Sequence, residues 1–168
     1  MATVASNPLD LSSSGTLKPP PKNGERHTLA PQTELRLEVP SNTCITLTLL
    51  SGSAEIFGAE LATFTSDPIK QTYLITGHAK FAVFTWHGCV VDVDVEFGKE
   101  LEISYTSEET VANVAFVNTH AQLEAMRDEA LMDATNGKDE SDGPRVLVVG
   151  PADCGKTSLV KVLTNYGK

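Results

Sequence analysis

The strongest constraint on the fold is an alternation of apolar and polar residues that recurs along the first two thirds of the chain. Leu35, Leu37 and Val39 alternate with Glu34, Arg36 and Glu38, and Ile45, Leu47 and Leu49 alternate with Thr46 and Thr48. Val91, Val93 and Val95 alternate with Asp92, Asp94 and Glu96. A period of two sends successive side chains to opposite faces of a strand, so each run predicts a half-buried strand with one wet face. Phe81 to Trp86 is apolar on both faces, as a central strand is, and this reading places Trp86 in the core. Gly52, Gly58, Gly77, Gly88 and Gly98 punctuate the runs at turn-like spacing. Short strands at intervals of about ten residues predict an antiparallel sandwich or barrel over residues 28–117.

The flanks of this unit read differently. Residues 1–27 are rich in proline and serine and poor in apolar side chains, and are expected to be a disordered tail. From Asn118 the period changes. Thr119 and Gln122 match a capping box, and Leu123, Met126, Ala130 and Leu131 recur at helical spacing. Residues 136–143 (NGKDESDG) are polar with two glycines, so residues 118–143 are expected to form a helix and linker.

After the linker, Arg145 to Val149 is a continuous apolar run of the kind found in strands buried on both faces. It leads into Gly150-Pro-Ala-Asp-Cys-Gly-Lys-Thr157, which satisfies G-x4-G-K-[ST]. Leu159, Val162, Leu163 and Tyr166 then supply a helical apolar stripe. Gly150 and Gly155 permit backbone angles and a close approach that a side chain would block. Such a turn aims successive N–H groups inward as an anion nest, and the helix N-terminus adds partial positive charge. Lys156 is placed to reach the β- and γ-phosphates of ATP, and the Thr157 hydroxyl to ligate Mg²⁺. Only 11 residues follow Thr157. The parallel neighbour strands of a P-loop fold each need a crossover of a dozen or more residues, so residues 144–168 are expected to be the start of a truncated P-loop domain.

Charge and cysteines narrow the function classes. The net charge is −9, with no run of lysine or arginine longer than two, which argues against a surface that coats nucleic acid. Cys44, Cys89 and Cys154 are odd in number and contain no CxxC pair, which favours a reducing compartment over a disulfide framework or a zinc site. His87 and His120 have no metal-ligand partner spacing. The N-terminus lacks a secretory pattern, and no apolar run is long enough to span a bilayer. A soluble intracellular chain without membrane attachment is expected.

Four separated runs carry a family resemblance: SGSAEIFGAEL (51–61), KFAVFTWHGC (80–89), NTHAQLEAMR (118–127) and GPRVLVVGPADCGKTSLVKVL (143–163). Together they resemble the polynucleotide 5′-hydroxyl kinase-like subunit of the pre-mRNA cleavage and polyadenylation machinery, over about residues 28–168. The GKTSLVKVL ending is most similar to fungal members. The resemblance implies a three-part nuclear protein: an N-terminal β-sandwich, a central RecA-like P-loop domain that this chain only begins, and a C-terminal domain. It implies that Glu34 and Lys80 approach the nucleotide, and that Asp153, Cys154, Gly155, Lys156, Thr157 and Ser158 form the phosphate-binding stretch. Without it, Glu34 reads as a solvated carboxylate on a wet strand face, Lys80 as a solubilising strand end, and Cys154 as a motif position that accepts almost any residue. The implied partners are other subunits of the complex, with RNA met only through a part absent from this sequence and no homo-oligomer expected. Two functions follow as expectations for the full-length protein, an ATP-holding subunit that bridges processing factors or an RNA 5′-hydroxyl kinase, whereas this chain alone is expected to transfer no phosphate and to bind ATP very weakly. The chain departs from the family at Ala59, where threonine is common, and in extra residues around Ser66–Gly77.

Overall fold

A computed structural model describes residues 23–63, 72–96, 99, 101, 103–136 and 143–168. Among the described residues nine strands precede two helices. The strands are β1 (Gly24–Leu29), β2 (Thr33–Glu38), β3 (Cys44–Gly52), β4 (Glu55–Ile56), β5 (Ala59–Glu60), β6 (Thr72–Thr76), β7 (Lys80–Thr85), β8 (Cys89–Val95) and β9 (Ile103–Ser107). The helices are α1 (Val111–Thr135) and α2 (Lys156–Tyr166). One sheet has the order β1-β8-β3-β6 and the other β5-β4-β7-β2-β9, with every strand pair antiparallel. The expected β-sandwich forms.

The inward residues of the alternating runs make the core between the sheets. Leu35, Leu37, Ile45, Leu47, Leu49, Val83, Val91 and Val93 are all buried. At about 25 cal/mol per Å² of apolar surface removed from water, each such side chain stabilises the fold by about 1.5–3 kcal/mol. The apolar strand β7 lies inside its sheet between β4 and β2, as its composition predicts. Trp86 falls just past its end and is half-buried rather than core, with its ring edge-on to Phe84 at 4.7 Å between centroids.

Several expectations change. The first 22 residues of the expected tail lie outside the described residues, but Gly24–Leu29 is a strand, paired with β8 from Gly24↔Asp94 to Leu29↔Cys89. Its polar composition hides a ladder in which Arg26 donates from Nε and from its second terminal nitrogen to the two Asp92 carboxylate oxygens, at 2.7 and 2.9 Å. Asp92, expected on a wet face, is buried by this pairing. Helix α1 starts at Val111 rather than at Thr119, within the stretch assigned to the β unit. Thr119 lies inside the helix and donates its hydroxyl to the Ala115 carbonyl at 2.8 Å, so the capping box does not form. The N-cap is Thr110, which instead donates its hydroxyl across the fold to Gln32 O at 2.8 Å. In the expected apolar stripe Ala130 is buried, whereas Leu131 is exposed. Of the linker, residues 137–142 lie outside the described residues.

Residues 145–149 form no strand, and Val146, Leu147 and Val149 are exposed. An apolar run becomes a buried strand only when neighbours accept its backbone hydrogen bonds, and no strand among the described residues pairs with it. The following helix does form, with Val162 buried and Leu159, Leu163 and Tyr166 half-buried.

Candidate functional site

The glycine-containing loop ends in helix α2, and the local geometry follows from its residues. Gly155 caps the helix at φ 81°, a left-handed angle that glycine adopts without steric cost, and a Cβ there would meet nothing within 4 Å. Asp153 also has a left-handed φ of 58°. The first helical turn closes with Leu159 N–H donating to Gly155 O at 3.0 Å. Pro151, Asp153, Cys154, Gly155 and Thr157 are exposed, whereas Lys156 is half-buried because its ammonium folds back over the loop. That ammonium donates to the Pro151 carbonyl and lies 3.8 Å from the Cys154 sulfur. Gly150 lies across the loop, where an added Cβ would come 3.0 Å from the same sulfur. An open loop with a lysine arched over it and a helix N-terminus at its base fits a polyphosphate.

The sheet supplies the other wall. On β2, Glu34, Arg36 and Glu38 share the face turned away from the sandwich core, and the register places Lys80 of β7 directly across from Glu38. Helices α1 and α2 partly cover this face, so Glu34 is only 9% exposed instead of solvated. A cavity of about 140 Å³ is lined by Glu34, Phe57, Ala82, Asn113 and Ser158. A second cavity, of about 340 Å³, joins Arg36, Phe57, Lys80, Tyr105 and the same Ser158. Ser158, Phe57 and Ala82 are common to both cavities, so they adjoin as one groove. Ser158 therefore lines one cavity with Glu34 and the adjoining one with Lys80. Gly150, Asp153, Cys154, Gly155, Lys156 and Thr157 stand outside this groove, on the loop that leads into it.

Electrostatics organise the groove. Arg36 Nε donates to Glu34 Oε1 at 2.6 Å, and the same guanidinium reaches Tyr105 OH at 3.3 Å. These bonds, Tyr105 first and Glu34 next, raise the arginine pKa above its ordinary value and keep it charged. Lys80 ion-pairs with Glu38 and is largely exposed, so its ammonium stands at the groove mouth. Arg36 shows in the sequence only as the same-face neighbour of Glu34, whereas Phe57 and Tyr105 arrive from turns and strands remote in sequence and carry no local signal. Among the described residues no cluster of three or more His, Cys, Asp or Glu could hold a metal ion, and no helix is long and apolar enough to cross a membrane.

Comparison with known proteins assigns the family. The sequence profile of the N-terminal β-sandwich domain of polyadenylation factor matches residues 28–130. The chain belongs to this family. It is 48% identical over 138 residues to the mRNA cleavage and polyadenylation factor CLP1 of Phaeosphaeria nodorum, covering 82% of this chain and 26% of that protein. It is 42% identical over 156 residues to the polyribonucleotide 5′-hydroxyl-kinase Clp1 of Danio rerio, covering 93% of this chain and 31% of that one. The chain thus spans under a third of the length of these relatives. Its fold is similar to Clp1p in a Clp1p–Pcf11p complex, with a TM-score of 0.65 at 21% identity over 86% of this chain and 29% of that one. A second similar structure, also at 0.65, with 20% identity over 90% of this chain and 30% of that one, concerns an extended Pcf11p–Clp1p interface and the basis of ATP loss in a glycine-to-arginine mutant.

Proposed function

We propose that this chain forms the ATP-binding N-terminal part of a subunit of the pre-mRNA 3′-end cleavage and polyadenylation machinery, where it bridges other processing factors in the nucleus. The observation that carries this reading is the position of Ser158: the residue that follows the G-x4-G-K-T loop lines the same groove as Glu34 and Lys80. Loop amides from Gly150 to Lys156 cradle the phosphates, Lys156 meets the β- and γ-oxygens, and Thr157 holds Mg²⁺, which neutralises phosphate charge when bound. Glu34 and Lys80 meet the nucleoside side from the sheet. The relatives' names and the Clp1p–Pcf11p complex support a role among protein partners. In this reading residues 24–107 are a β-sandwich unit, α1 leads out of it, and residues 144–168 open a P-loop domain. RNA contact belongs to regions outside these residues, in keeping with the charge of −9, and no homo-oligomer is involved.

A second reading, an RNA 5′-hydroxyl kinase, is favoured by the vertebrate relatives, which are named as such at 42% identity in Danio rerio and in Homo sapiens. There Lys156 would stabilise charge developing on the transferred phosphoryl group. Transfer of labelled phosphate from ATP to a 5′-hydroxyl oligonucleotide by the full-length protein decides between them. The bridging reading predicts ATP retention without transfer, and transfer that is lost in Lys156→Ala establishes the kinase.

A further inference from the structure

Helix α2 carries the loop at one end and a set of contacts to the sandwich at the other. At its last turn Tyr166 OH donates to Glu55 Oε1 at 2.6 Å, and Asn165 Nδ2 donates to Phe57 O at 2.9 Å. Both partners belong to the β4–β5 hairpin. Gly58, at the turn of that hairpin, has φ 76°, and a Cβ there would lie 3.0 Å from both Tyr166 Cε1 and Val162 O. The turn therefore admits the helix because it has no side chain. Lys161 Nζ sits 4.7 Å from the centre of the Phe57 ring, and His120 of α1 flanks Tyr166 at 5.6 Å between ring centres. Phe57 is also a wall of the groove shared with Ser158. A single hairpin thus holds the far end of the helix and builds the groove at the near end, about 12 Å away at 1.5 Å per helical residue.

We propose that Tyr166 and Asn165 are positioning residues whose bonds to Glu55 and to the Phe57 carbonyl fix Ser158 and the phosphate loop against Glu34 and Lys80, so that the site selects a nucleoside triphosphate over a bare triphosphate. This rests on the ATP-binding reading above and adds to it the residues that assemble the two walls. The loop alone contacts phosphates, which both ligands possess. The sheet residues contact only what ATP has in addition. Releasing the far end of α2 leaves the loop intact but frees it from the sheet, and the loss falls on ATP alone. A defect that merely unfolded the helix would weaken both ligands equally.

The test compares Mg²⁺-ATP with Mg²⁺-tripolyphosphate binding by calorimetry on the full-length protein that contains this chain, unaltered and as Tyr166→Phe and Asn165→Ala. The unaltered protein is expected to prefer ATP. Each variant is expected to bind ATP about tenfold more weakly, the loss of one hydrogen bond to a partly buried partner, with tripolyphosphate changed less than about twofold. Unchanged ATP affinity, a parallel fall in both ligands, or no preference in the unaltered protein overturns the proposal. If the unaltered protein binds neither ligand, the ATP-binding reading fails, and the anchor is judged separately by amide exchange. Exchange at Leu159–Tyr166 about tenfold faster in Tyr166→Phe, with β3 and β8 amides unchanged, supports it, and equal protection overturns it.

Discussion

Replacing Arg26 with methionine keeps the aliphatic stem on the sheet and removes the guanidinium that pairs with Asp92. The pair is bidentate, at 2.7 and 2.9 Å, with the aspartate side chain 4% exposed and the arginine 24%. Breaking a buried pair costs about 3–5 kcal/mol because it strands a charge, and breaking an exposed one costs about 0–1. One buried and one partly wetted partner put Arg26→Met near 2 kcal/mol, roughly midway. For a domain of this size that lowers the melting temperature by about 10 °C and the urea midpoint by about 1 M. Trp86 is the only tryptophan and packs on Phe84, so its fluorescence reports unfolding of the sandwich directly. Amide exchange of Glu25–Leu29 should quicken most, since among the described residues β1 lies at a sheet edge and pairs with β8 alone. Adding Asp92→Leu should recover part of the loss by removing the stranded carboxylate. A destabilisation below about 0.5 kcal/mol for Arg26→Met would refute the claim that this ion pair holds the first strand.

Leu47→Ala deletes a fully buried side chain between the sheets and should cost about 3–4 kcal/mol in urea unfolding, with a loss under 1 counting against the core assignment. Burial raises the Cys89 thiol from 9.0 to about 11. Its alkylation at pH 8 should therefore run about a hundredfold slower in the folded protein than in the urea-unfolded chain, as mass spectrometry of labelled peptides can measure. Because the folded pKa is the higher one, this thiol's stabilisation is complete below pH 9 and is lost as pH rises through 11, so urea midpoints should fall over that window and fall less in Cys89→Ala.

The sandwich was legible because a two-residue period survives in β2, β3 and β8, and because β7 is apolar on both faces. Each of these strands is paired on two sides or faces the core, so local pattern and tertiary environment agree. Strand β1 escaped notice because edge pairing and the Arg26–Asp92 bridge stabilise residues whose composition resembles a tail. The start of α1 was missed because Val111 to Val117 is rich in β-branched residues, which favour strands until helix packing overrides them. Residues 145–149 erred in the opposite direction: an apolar run has the composition of a buried strand, but composition supplies no neighbour. Glu34 and Lys80 enter the proposed site only through family resemblance, since alternation alone put Glu34 in water. Residues of α1 and α2 share a cavity with Glu34, and Tyr105 reaches Arg36 as its register partner across the β2–β9 ladder, both long-range arrangements.

The central claim is that backbone amides around Gly150–Lys156, with the Lys156 ammonium, hold the phosphates of ATP beside the Glu34–Lys80 face. Equilibrium dialysis of Mg²⁺-ATP against the full-length protein that contains this chain, unaltered and as Lys156→Ala, tests it directly. Saturable one-to-one binding is expected, weakened at least about a hundredfold in the variant by the loss of charge-assisted bonds to two phosphates. Equal ATP affinity in the two proteins, or no saturable binding by the unaltered one, would contradict it.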